Sequence, residues 1–161
     1  MSDFKKLPVS DLNVLRICAE IEEECAGIYW YFSGLFGHDE RIAALWHKTA
    51  REEENHSSQF KLAQRLQGSG MSAVNTDADK ASHILGRIKS INVSVKNSPL
   101  SLHDALKLAI DIEERLSEFH ASELVEFSDE KICELFASMK ECDREHTEML
   151  KREYAELVKN V

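Results

Sequence analysis

Two stretches of the chain, 91 residues apart, carry the same residue types in the same order, which constrains the fold more than any other feature. Pro8-Val-Ser10 aligns with Pro99-Leu-Ser101, and Leu15-Arg-Ile-Cys-Ala-Glu-Ile-Glu22-Glu23 aligns with Leu106-Lys-Leu-Ala-Ile-Asp-Ile-Glu113-Glu114. Further on, at an offset of 90, Leu45-Trp46 matches Leu135-Phe136, and Glu53-Glu-Asn-His56 matches Asp143-Arg-Glu-His146. Two helical hairpins of one design explain this pattern. A repeat present only twice favours one closed bundle over a solenoid.

With 161 residues, six Gly, two Pro and 43% apolar residues, the chain reads as a single all-α domain spanning 1–161. Helices are expected at about 10–36, 39–67, 101–127 and 129–158. Ser10, Asp39 and Ser101 with Asp104 supply starts, and Gly37 and Gln67-Gly-Ser-Gly70 supply stops. The remaining stretch, about 68–100, is long enough to cross from one end of a bundle to the other, with a short helix near Ala81 to Val95. These spacings predict a four-helix bundle of two antiparallel hairpins joined by a long crossover.

The net charge of −9, without a cluster of Lys and Arg, argues against a nucleic-acid partner. No apolar run is long enough to cross a bilayer, and the opening Met-Ser-Asp-Phe-Lys-Lys-Leu-Pro carries no hydrophobic signal core. No membrane partner and a cytoplasmic location are therefore expected. The four Cys form no C-x-x-C pair, and Cys18 and Cys25, seven apart, read as small buried thiols.

Turn distances bring the acids level. Glu22 lies 15 residues before the turn near position 37 and Glu53 about as far beyond it, so each sits about 23 Å along its helix. Glu113 and Asp143 straddle Ser128 in the same way. Residues three apart share a helix face, so His56 accompanies Glu53, and His146 accompanies Asp143.

Either E-x-x-H spacing alone would be weak, and Glu52, Glu53 and Glu54 together look like a solvated charge run. Agreement in face, depth and repeat register makes Glu22, Glu53, His56, Glu113, Asp143 and His146 candidate metal ligands. Glu22 lies in line with Leu15, Cys18, Cys25 and Tyr29, whereas Glu20, Glu23, Glu24, Asp111 and Glu114 fall on the expected solvent face. Tyr29 and His120, each seven residues after its acid, can hydrogen-bond a ligand carboxylate. His38, His47, His83 and His103 have no such support.

These residues resemble the ferritin-like superfamily, in particular the rubrerythrin and bacterioferritin group of di-iron carboxylate proteins. Glu22 with Tyr29, Glu53-Glu-Asn-His56, Ala109-Ile-Asp-Ile-Glu113 and Asp143-Arg-Glu-His146 carry the resemblance, which covers most of the chain. It implies two iron ions, or manganese or zinc in the same place, held by the six ligands, with Glu53 and Asp143 bridging. It further implies an oxidoreductase that reacts with hydrogen peroxide or dioxygen as a peroxidase or ferroxidase, with Tyr29 orienting a ligand or supplying a proton or electron.

Three features depart from the family pattern. Asp143 stands where Glu is usual, Leu116 stands where rubrerythrins carry a further Glu, and a rubredoxin cysteine box is missing, so an external protein would deliver electrons. A short fifth helix of the kind cage-forming ferritins carry is not seen, and a homodimer is expected in place of a shell. The alternative reading is a non-catalytic protein that binds or stores Fe(II) or another divalent metal. A metal-free bundle serving as an interaction module is a third.

Overall fold

The computed structural model describes residues 9–65, 71–74, 78–121, 125–127 and 130–161. Five helices dominate it: α1 (Val9–Leu35), α2 (Glu40–Arg65), α3 (Ala78–Asn97), α4 (Leu102–Ala121) and α5 (Glu130–Lys159). Two short strands, β1 (Met71–Val74) and β2 (Val125–Phe127), complete it.

Local chemistry sets the helix ends. Asp39 Oδ1 accepts hydrogen bonds from the backbone N–H of Arg41 (3.0 Å) and Ile42 (3.1 Å), which caps α2. Ser101 Oγ accepts from Asp104 N (3.1 Å) and caps α4. The reciprocal half of a capping box is not formed, because the Asp104 carboxylate lies 3.0 Å from His103 Nδ1 instead. Ser128 and the stop at 67–70 lie outside the described residues.

α1 and α2 run antiparallel: Ser33 Oγ donates to Ala43 O near the turn, Trp30 Nε1 donates to Glu54 Oε1 at 2.8 Å, and Lys61 pairs with Glu23 at the far end. α5 runs antiparallel to α2, with Arg41 pairing with Glu153, and Phe60 meeting Phe136 edge-on at 5.6 Å. α4 packs against α5, where Lys151 reaches Glu114 at 2.5 Å and Tyr154 Oη lies 3.0 Å from His103 Nε2.

The crossover holds more helix than its sequence suggested. α3 runs Ala78–Asn97, beyond the expected 81–95 at both ends, and buries Ala81, Leu85, Ile88 and Val95 as one stripe. It lies along α1, with Asn92 Nδ2 donating to Glu24 Oε2 at 2.7 Å. Gly27 permits this approach, since a Cβ there would sit 3.2 Å from Asn92 Nδ2.

One boundary is corrected. The third expected helix was to continue to about 127, but α4 ends at Ala121, and Val125–Phe127 pairs antiparallel with Met71–Val74. The ribbon joins the segment after α2 to the segment after α4. Leu62 is 47% exposed, because the buried stripe of α2 passes through Phe60 and Ala63 on either side of it.

The core is continuous from Val14 through Phe36 on α1, Trp46 and Phe60 on α2, Leu106 and Ile112 on α4, and Leu150 on α5. No helix among the described residues is long and apolar enough to cross a membrane.

Candidate metal centre

Four carboxylates and two imidazoles interrupt this apolar core at mid-height. Glu22, Glu53, His56, Glu113, Asp143 and His146 are each at most 4% exposed. They come from four of the five helices: Glu22 from α1, Glu53 and His56 from α2, Glu113 from α4, and Asp143 and His146 from α5. Their acidic neighbours Glu23, Asp111 and Glu114 are exposed, and Glu20 and Glu24 are half-buried. The apolar line through Leu15, Cys18, Cys25 and Tyr29 is what turns Glu22 inward in their place.

Ligand atoms gather into two groups, each with members within 4.8 Å of one another: Glu22, Glu53 and His56, and then Glu53, Glu113, Asp143 and His146. Glu53 belongs to both groups. His146 Nδ1 lies 3.2 Å from Glu53 Oε1 and 3.9 Å from Glu113 Oε2. His56 Nδ1 lies 3.8 Å from both Glu22 Oε2 and Glu53 Oε1, and 3.5 Å from Asp143 Oδ1. Asp143 thus approaches the histidine of the opposite half.

Tyr29 is fully buried, and its Oη donates to Glu113 Oε1 at 2.5 Å. Its ring stacks on Trp46 with centroids 5.8 Å apart. The side chain of His120 lies outside the described residues. His38, His47, His83 and His103 are all exposed, and none joins the cluster.

The titration behaviour follows from crowding. Burial, then the charge of Glu53, pushes the Glu113 carboxyl well above the usual carboxylate range. Burial alone would lower His146, but its close approach to Cys142 and Glu53 and the charges of Glu113 and Glu53 push it up to about 12. His56 is raised for the same reasons, with burial opposed by Cys142, Glu22 and Glu53. Burial and Glu113 raise the Tyr29 phenol, so it remains a proton donor. Cys18 and Cys25 are buried thiols whose pKa values burial raises.

Glu53 Oε1, His56 Nδ1 and His146 Nδ1 are buried and make no hydrogen bond. Such atoms are costly to bury unless something satisfies them. The donors are carboxylate oxygens and imidazole nitrogens, a set suited to iron, manganese or zinc. These buried Glu, Asp and His residues can hold a metal ion.

Two further residues converge on the cluster without having been read from the sequence. Glu52 and Cys142 gather with His146 into a third group within 4.8 Å. Cys142 and His146 are four apart on α5 and therefore share a face, a spacing that could have signalled it; Glu52 was hidden in the acidic run. Hydrogen bonds from His146 and His56 lower the Cys142 thiol.

Comparison of the chain with protein-family models, with curated proteins and with solved structures gave no match.

Proposed function

We propose that the chain is a two-cation carboxylate protein of the ferritin-like type, built to react with hydrogen peroxide or dioxygen. The observation that carries this reading is the place of Glu53 in both donor groups, since two cations held close together need a carboxylate common to both. Glu22 and His56 would complete one half of the site, and Glu113, Asp143 and His146 the other. Iron ions bound here would supply the electrons that reduce the oxidant, and manganese or zinc can occupy the same donors.

The chain's own residues would do the rest. Tyr29, through its hydrogen bond, fixes the Glu113 carboxylate so that one oxygen remains for a cation. Its phenol, kept protonated by burial and by Glu113, is a proton source beside the centre. Trp46, which stacks on Tyr29, and Phe32 and Phe60 are fully buried in the apolar core that the donors interrupt, which favours a small oxidant over a bulky substrate. Electrons for repeated turnover would come from a separate donor protein.

Uptake of a divalent metal without turnover is the second reading, favoured by the shorter Asp143 and by Leu116, which is apolar and buried where a further carboxylate would extend the ligand set. Stopped-flow mixing of Fe(II)-loaded protein with peroxide or oxygen separates the two. Repeated fast consumption on adding Fe(II) supports the oxidoreductase, and a single uptake phase without turnover would leave only binding.

A further inference from the structure

His146 presents its two ring nitrogens to two different places. Nδ1 faces Glu53 and Glu113 in the buried cluster. Nε2 faces away from it, in contact with Glu52 Oε2 and 3.6 Å from Cys142 Sγ. Glu52 and Cys142 are only half-buried, with the Glu52 side chain 24% exposed, so this second group lies between the buried acids and solvent. A carboxylate, a thiol and an imidazole nitrogen within 4.8 Å are three different metal donors at one point.

We propose that Glu52, Cys142 and His146 Nε2 form a third cation site on the solvent side of the buried pair, for a divalent cation with affinity for thiolate, such as Zn(II), Fe(II) or Co(II). The sulfur sets its preference apart from that of the inner groups, whose donors are only oxygen and nitrogen. Binding replaces the thiol proton, which leaves to solvent through the exposed side. Three protein donors with one side open also suit a site that takes an ion from water.

The site stands on its own three donors and touches the two-cation reading only at His146. A neutral imidazole has one lone pair to give, so His146 serves the outer ion through Nε2 or an inner ion through Nδ1. The outer site therefore acts as a loading position, filled while the inner pair is incomplete. Disabling the inner cluster should strengthen its signal.

The test is a titration of the reduced full chain with Co(II), read by the near-ultraviolet absorption that a thiolate gives on binding cobalt. The wild type should show this band at the first equivalents, and Glu53→Ala should show it more strongly. Cys142→Ser should abolish it, while Cys133→Ser, which removes the exposed cysteine, should leave it. Glu52→Gln should weaken the cobalt affinity read from the band by at least about tenfold. No band in the wild type and Glu53→Ala, a band that survives Cys142→Ser, or an unchanged affinity in Glu52→Gln would overturn the assignment. If Cys142→Ser loses the band yet still binds about two cobalt ions, the outer and inner sites both stand. If it loses the band and binds none, the outer site stands and the two-cation reading fails.

Discussion

Tyr29 and Glu113, 84 positions apart in sequence, meet at 2.5 Å through a hydrogen bond that links the two helical hairpins inside the core. Neither side chain has access to water, so the phenol is the group that satisfies that carboxylate oxygen. The bond lies at the boundary between the apolar wall formed with Trp46 and the ring of donors, and it makes the orientation of Glu113 depend on α1.

Tyr29→Phe should therefore leave metal content unchanged while releasing Glu113 from its fixed orientation. The cost to the metal-free fold should be about 1–3 kcal/mol, the range for stranding a buried polar partner, measured by urea denaturation. Oxidation of bound Fe(II) should slow by about 10–100-fold. An unchanged rate would limit Tyr29 to packing.

Glu53 and Glu22 should differ in kind. Glu22→Ala removes a member of one donor group and Glu53→Ala a member of both, so in a Cys142→Ser background, which lacks the outer site, equilibrium dialysis should show the first variant keeping one ion and the second losing both. Without metal, Glu53→Gln should be neutral or stabilising, because its charge raises Glu113 and adds to the crowding of buried acids. Equal metal loss in Glu22→Ala and Glu53→Ala would remove Glu53 from the shared position.

Metal binding should release protons. In the metal-free fold His146 is pushed up to about 12, so at neutral pH its ring is protonated, and coordination requires it to lose a proton. Affinity should then rise with pH, by up to about tenfold per pH unit for each proton displaced. For the metal-free fold the sign is opposite. The stability that the raised histidine supplies is complete below its unfolded value, about 6.5, and is lost as pH rises through about 12. Calorimetry at pH 7 in buffers of different ionisation enthalpy measures the protons released, and none released would contradict the charged state of the histidines.

Ile88→Ala on α3 should separate scaffold from site. It truncates a buried side chain at the α3 stripe, far from the donor set in sequence, and should cost about 2–4 kcal/mol with metal stoichiometry unchanged. Loss of metal in a folded Ile88→Ala protein would make α3 part of the site.

The depth and face of the inner acids were legible because a helix has a fixed rise and twist. Counting from the turn at position 37 sets Glu22 against Glu53, and the line through Leu15, Cys18, Cys25 and Tyr29 selects Glu22 over Glu23 and Glu24. The end of α4 was not legible. Val125-Glu126-Phe127 continues an apolar pattern that suits helix or strand, and its strand state depends on Met71–Val74, more than 50 residues away. Glu52 and Cys142 were missed for a related reason. Each lies one residue before a ligand, and only the packing of α2 on α5 brings them to the outer nitrogen of His146.

If the buried cluster holds two cations, metal analysis of protein purified from iron-supplied cells will count them. About two metal ions per chain in the wild type, falling to none in a folded Glu53→Ala, His56→Ala variant that also carries Cys142→Ser to remove the outer site, is the predicted result. Wild-type protein that remains metal-free despite supply, with thermal unfolding that added Fe(II), Mn(II) or Zn(II) does not shift, would contradict it.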